Sequence, residues 1–291
     1  MKILDGKSVS QKVRDSIKEE IKELKEKTGR VPGLAVIQAG DNLASKIYVS
    51  SKIKQCSEVG IESKNYIMSE NISEDELLKV IDDLNVDDEI DGILVQLPLP
   101  DHINTPKVIE QIILTKDVDG FKPENLGKVV LGDKTALISC TPAGILRLFN
   151  EYKIELEGLD IVVIGRSNIV GKPMTALLIN EGATVTVCNS RTKNIKEKTK
   201  NADVIIVAIG SSKFLTEDMV KDNVIIIDVG INRDENNKLC GDVDFENVKN
   251  KASFITPVPG GVGPMTIAML LDNTLKAFKT NKQIQGWIIN E

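Results

Sequence analysis

Short β-branched runs alternate with stretches of helical spacing along the whole chain, and this alternation constrains the fold more than any other feature. Runs rich in Val, Ile and Leu occur at 33–39, 92–97, 160–164, 184–188, 204–208, 224–229 and 253–256. Helical patterns fill 8–27, 44–59, 73–85, 141–152, 172–181 and 266–279. Strand, crossover helix and strand in succession build a parallel sheet, so the expected class is α/β. The 291 residues exceed what one small core usually holds, and the pattern restarts at the apolar strand Ile161-Val162-Val163-Ile164. Two domains are expected: 1–140, to which 267–291 return as the last helix packs back, and a Rossmann-type domain over 141–266. Thr141-Pro142 reads as the N-cap and first residue of a helix running between them. The acidic stretch 82–91 reads as a solvated loop.

Charge and rare residues remove several function classes. With 37 basic and 43 acidic residues the formal net charge is −6, which offers no general attraction for nucleic acid or an anionic membrane. Residues 1–13 lack the apolar core of a signal peptide, and no run reaches membrane-spanning length; a cytoplasmic protein is expected. Cys56, Cys140, Cys188 and Cys240 show no metal or redox spacing. The single histidine, His102, rules out a histidine-rich metal centre and sits beside no nucleophile motif.

The sharpest motif is Gly165-Arg166-Ser167-Asn168-Ile169-Val170-Gly171-Lys172-Pro173. It joins a buried strand to a helix, the place where an α/β sheet binds a dinucleotide pyrophosphate on backbone N–H groups. Its GxSxxxGxP spacing is looser than GxGxxG, and a plain strand-to-helix turn is the competing reading. About 20 residues further on, where an NAD site carries an acid, this chain has Asn189-Ser190-Arg191. Arg191, Ser190 and nearby Arg166 suit a 2′-phosphate, which favours NADP; the alternative is that Arg191 opens an exposed helix.

In the first half, a turn at Ala39-Gly40-Asp41-Asn42 precedes a helix that carries Ser45, Tyr48 and Lys52 on one face. Val49, Ile53 and Cys56 form an adjacent stripe towards the core, so Tyr48 and Lys52 are expected to project beside it. A partly desolvated lysine can serve as acid or base, and a tyrosine one turn earlier can stack on a flat heterocycle; an ordinary helix surface would look the same. Gln96 interrupts an apolar strand near its carboxyl end, where ligands bind in open α/β sheets. Asp117-Val118-Asp119-Gly120-Phe121 is either a simple turn or a carboxylate set to meet the N–H edge of a pterin-like ring. The Pro- and Gly-rich run Thr256–Thr266, containing Pro259, Gly260 and Gly261, reads as a shaped site wall.

Tyr48-Val49-Ser50-Ser51-Lys52, Val95-Gln96-Leu97-Pro98-Leu99-Pro100, Asp117–Phe121, Gly165–Pro173 and Pro257–Thr266 together resemble the bifunctional methylenetetrahydrofolate dehydrogenase/methenyltetrahydrofolate cyclohydrolase family, from Leu4 through the last helix. The resemblance implies NADP-dependent oxidation of 5,10-methylenetetrahydrofolate and hydrolysis of the methenyl product, in one-carbon metabolism. It implies Lys52 as the central acid/base group, Gln96 as its partner, Tyr48 as the stacking platform and Asp119 on the pterin edge. Gly165, Arg166, Ser167, Ser190 and Ile231 would contact NADP, joined by Gly171 and Arg191 from the motif reading. Pro259, Gly260 and Gly261 would border folate and nicotinamide. It further implies two α/β domains flanking a cleft, and a homodimer. The chain departs from the family in carrying Lys122 and Asn189 where histidine is often found. A shikimate dehydrogenase-like enzyme and a non-catalytic folate or nucleotide binder are the competing readings.

Overall fold

The structure is a computed structural model that describes residues 1–41, 43–281 and 286; Asn42, the Ser45 side chain and the rest of the expected returning segment lie outside the described residues. In chain order the elements are β1 (Lys2–Ile3), α1 (Gly6–Thr28), β2 (Gly33–Ala39), α2 (Leu43–Val59), β3 (Glu62–Met68), α3 (Glu74–Val86), β4 (Gly92–Val95), α4 (Thr105–Gln111), α5 (Pro123–Val130), α6 (Cys140–Glu151), β5 (Asp160–Ile164), α7 (Gly171–Asn180), β6 (Thr184–Cys188), α8 (Ile195–Thr199), β7 (Val204–Val207), β8 (Val224–Asp228), β9 (Asn232–Arg233), β10 (Leu239–Cys240), α9 (Phe245–Val248), β11 (Ala252–Ile255) and α10 (Val262–Thr280). They form two units: 12–127, 135–138 and 270–291 make one, and 1–11, 128–134 and 139–269 make the other.

The unit that holds residues 12–127 is built on a three-stranded parallel sheet in the order β3-β2-β4. Strand β2 is central and buried along its whole length, which explains its apolar run, broken only at Gln38, whose amide donates to the Gly40 carbonyl at 3.1 Å. Strand β3, with sequence Glu-Ser-Lys-Asn-Tyr-Ile-Met, is an edge strand made of exposed and half-buried residues; its polar composition hides it from a search for apolar strands. Helix α3 starts at a capping box, in which the Ser73 side chain accepts the Glu76 N–H and Glu76 reaches back to the Ser73 N–H. It buries Leu77, Leu78, Ile81 and Leu84. The expected acidic loop over 82–91 is corrected here. Its first half finishes this helix, and Asp91 is buried, paired with Arg30 at 2.9 Å and accepting the Gly33 N–H at 2.9 Å. The later part of α10 belongs to this unit, where the Asn273 side-chain amide donates to the carbonyls of Val118 and Ile138, both at 2.8 Å.

The other unit carries a six-stranded parallel sheet in the order β1-β11-β8-β7-β5-β6. Strands β5, β7 and β8 are almost wholly buried, as β-branched strands covered on both faces must be. Lys2 and Ile3 pair in register with Phe254 and Ile255, so residues 1–11 stand with the second half of the chain rather than with 12–127. A two-residue strand is too short to leave a periodic signal. The cap of helix α6 lies two residues before the expected one: Ser139 is the N-cap, Pro142 lies inside the first turn, and the Thr141 hydroxyl instead meets that of Thr266 at 3.0 Å.

Candidate active site

Helix α2 turns Lys52 inward. At 8% exposure it is buried, whereas Ile53 is only half-buried, so the expectation that Lys52 stands beside the core is corrected. The inward stripe is Val49, Lys52 and Cys56, spaced at three and seven residues. A buried ammonium needs partners, and Lys52 Nζ donates to Gln96 Oε1 at 3.0 Å. Gln96 is held for this contact from both ends. Its backbone N–H donates to the Ile37 carbonyl at 2.8 Å, extending the β2–β4 ladder, and its Nε2 donates to the Leu97 carbonyl at 2.6 Å. The Lys52 amine also lies 5.8 Å from the centre of the Tyr48 ring, within cation–π range. Burial raises the Tyr48 phenol, and pushes the Cys56 thiol one turn below Lys52 up to about 12, so neither ionises near neutral pH.

Asp119 completes the group. Burial pushes its carboxyl up to about 6, the Lys52 charge pulls it down, and Asp117 pushes it further up. The turn that presents it is fixed by Asp117. The Asp117 carbonyl accepts the Gly120 N–H at 3.0 Å, where Gly120 takes the left-handed conformation with φ 67°. The Asp117 carboxylate accepts the N–H groups of Phe121 at 3.1 Å and Lys122 at 2.9 Å, and the Asn125 amide at 2.8 Å. A bridge between Asp117 and Ile93 ties this turn to β4, the strand that leads into Gln96. Lys52, Gln96, Tyr48 and Asp119 thus belong to one unit and meet at the carboxyl end of its sheet.

In the other unit the phosphate loop is shaped by backbone approach. A Cβ on Gly165, whose φ is 131°, would fall 2.4 Å from the Ala208 carbonyl oxygen, and one on Gly171 would fall 2.3 Å from the Gly165 carbonyl oxygen. Ser167 Oγ accepts the N–H groups of Val170 at 3.2 Å and Gly171 at 3.4 Å at the start of α7. Arg166, Ser167, Ser190, Arg191 and Ile231 are all exposed at the carboxyl edge of the sheet. Arg191 lies ahead of α8, in a turn where Asn189 Oδ1 accepts its N–H at 3.0 Å and the Asn189 N–H donates to Thr192 Oγ1 at 2.8 Å. Gly260 and Gly261 follow β11: the Gly260 carbonyl accepts the Lys7 N–H at 3.0 Å, and Pro259 is exposed.

Residues 4–119 match the family described as tetrahydrofolate dehydrogenase/cyclohydrolase, catalytic domain, and residues 139–282 match its NAD(P)-binding domain. The chain belongs to the tetrahydrofolate dehydrogenase/cyclohydrolase family. It is 56% identical over 280 residues to the bifunctional protein FolD of Sulfurihydrogenibium sp., covering 96% of this chain and 98% of the relative. The crystal structure of the bifunctional methylenetetrahydrofolate dehydrogenase/cyclohydrolase FolD from Campylobacter jejuni aligns with TM-score 0.94 and 55% identity, covering 96% and 99% of the two chains. The Trypanosoma brucei methylenetetrahydrofolate dehydrogenase-cyclohydrolase, complexed with NADP cofactor and inhibitor, aligns with TM-score 0.91 and 34% identity over 95% of this chain and 97% of that one.

Membership of this family sets aside the shikimate dehydrogenase-like reading. The structure adds residues to which sequence reasoning gave no role. Asp117 was visible as the first acid of an Asp-x-Asp-Gly turn, but nothing in that spacing says which carboxylate holds the turn and which stays available. Asn125, Asp228 and Asp242 left no sequence signal at all. Among the described residues no helix is long and apolar enough to cross a membrane.

Proposed function

We propose that this chain oxidises 5,10-methylenetetrahydrofolate with NADP and hydrolyses the 5,10-methenyl product to 10-formyltetrahydrofolate. The observation that carries the reading is the buried Lys52 amine bonded to half-buried Gln96 at 3.0 Å, with Asp119 in the Lys52 field. Two glycines whose backbones leave no room for a side chain suit a pyrophosphate cradle at Gly165–Gly171, with Arg166, Ser190 and Arg191 around the 2′-phosphate and Ile231 as a further cofactor contact. When bound, NADP would supply the acceptor for the hydride that leaves the methylene carbon. The protein's own work in that step is orientation: Tyr48 stacks on the folate ring, Asp119 pairs with the pterin N–H edge, and Pro259, Gly260 and Gly261 border the substrate.

The methenyl carbon is electrophilic enough for water to attack. In hydrolysis the water oxygen bonds to that carbon, one carbon–nitrogen bond breaks, the freed ring nitrogen takes up a proton and one proton leaves. Lys52 moves the proton between water and ring nitrogen, and Gln96 fixes its amine. No residue needs to bond covalently to the folate. We assign 1–140 with 267–291 to folate and 141–266 to the cofactor, apart from the N-terminal strand noted above. The reading places the enzyme in the reducing cytoplasm, in keeping with cysteines that stand as thiols. It makes the enzyme a homodimer, and exposed Val130, Leu131, Ile179 and Val187 supply apolar surface for such an assembly. The test is NADP reduction by purified protein with and without methylenetetrahydrofolate. Reduction only with the folate supports the proposal, and reduction independent of it, or none, overturns it.

A further inference from the structure

Two buried carboxylates sit beneath the carboxyl ends of β7 and β8. Asp242 is fully buried, and its Oδ2 accepts the N–H groups of Ile209 at 2.8 Å and Gly210 at 3.0 Å. Its Oδ1 accepts the Ser211 N–H at 2.8 Å and the Asn232 side-chain amide at 2.8 Å. Asp228, 3% exposed, accepts the N–H groups of Gly230 at 3.0 Å, Asp242 at 2.9 Å and Val243 at 3.0 Å. The two loops that leave β7 and β8 are therefore tied to each other through one anion and its neighbour. Neither carboxylate pairs with a cation in these contacts; backbone N–H groups bind both, joined at Asp242 by the Asn232 side-chain amide.

These loops lie where an open α/β sheet receives its ligand. The first begins at Ala208, whose carbonyl lies against Gly165 of the phosphate loop. The second carries exposed Ile231 next to Asn232. Asp242 draws three consecutive N–H groups of the first loop inward, so they are not offered to the cofactor phosphates; that task falls to residues 165–171. We infer that Asp242 is a positioning residue for the dinucleotide, fixing the 209–211 and 230–232 loops at the height the cofactor needs. This rests on the NADP reading above, and assigns it a residue that never touches the ligand.

The test is Asp242→Asn in the full-length enzyme, with Asn232→Ala as a second variant. Asparagine keeps the shape, but one of its two termini donates instead of accepting, so at least one loop N–H loses its acceptor. Hydrogen bonds to a charged group are strong enough that the KM for NADP and the Kd for NADPH should rise about tenfold. Hydrolysis of preformed methenyltetrahydrofolate, whose acid/base group Lys52 and its partner Gln96 stand in the other unit, should stay within about twofold. Asn232→Ala removes one arm and should raise the NADP KM by a smaller factor with hydrolysis unchanged; it decides the matter if Asp242→Asn does not fold. A folded Asp242→Asn enzyme with wild-type NADPH affinity, or an equal fall in both activities, overturns the inference. Failure of the wild type itself to bind NADPH would instead overturn the cofactor reading.

Discussion

Asp119→Asn tests the pterin contact and its pH dependence together. Only the ionised carboxylate accepts from a pterin N–H edge on both oxygens, and burial has pushed this carboxyl up to about 6. A proton therefore competes with the ligand close to neutrality. If the ionised form alone binds, affinity for a stable folate analogue should fall about tenfold between pH 7 and pH 5. The asparagine variant should bind about fivefold more weakly at pH 7, from losing a charge-assisted pair worth roughly 1 kcal/mol over a neutral one, and should show a flat profile over that range. Calorimetric titration of both proteins with the analogue at both pH values is the assay. Stability has its own sign. The folded carboxyl holds its proton up to about 6 while the free side chain releases it near 3.8, so the wild type loses stability as pH rises through that window. The variant should lose less. Some slope should survive, because burial also pushes Asp228 up to about 6. Parallel binding profiles in wild type and variant would refute the reasoning.

Three further outcomes follow from the cofactor edge and the Asp119 turn. Arg191→Ala should raise the KM for NADP while barely moving that for NAD, since only one carries the 2′-phosphate; equal effects in steady-state assays would count against that role. Gly165→Ala must place a Cβ 2.4 Å from the Ala208 carbonyl oxygen at φ 131°, which should lower the melting temperature and weaken NADPH binding by about tenfold or more. Asp117→Asn should mimic Asp119→Asn in folate affinity, since it loosens the turn, but should keep a pH dependence from Asp119, moved to lower pH because the Asp117 charge no longer pushes that carboxyl up; a binding series over pH separates the two.

The central strands and long helices were legible because each repeats one signal many times. Strand β2 is apolar except for Gln38, and α3 announces itself with Ser73 and Glu76 at its start. The elements that escaped were an edge strand with charged residues, a two-residue strand and short helices, in which packing against the rest of the chain outweighs local preference. Within the site, the motif residues could be named from the resemblance, but their burial could not. Helical spacing set Lys52 beside the core because Val49, Ile53 and Cys56 read as the inward stripe; Gln96 and the Tyr48 ring explain why a lysine amine is tolerated inside. The carboxylates that hold loops, Asp117 and Asp242, act through backbone N–H groups, contacts that no residue spacing encodes.

The measurement that bears most directly on the account is hydrolysis of 5,10-methenyltetrahydrofolate by Lys52→Met, corrected for the spontaneous rate in the same buffer. Methionine matches the lysine stem in a buried position but carries no proton, and leaves Gln96 Oε1 without the 3.0 Å donor it has in the wild type. A thermal melt and NADPH titration beside it establish that the fold and the cofactor unit are intact. The account predicts a fall of about 10²–10⁴-fold in hydrolysis, with NADPH affinity unchanged. A folded Lys52→Met protein that hydrolyses the methenyl compound at the wild-type rate would contradict it.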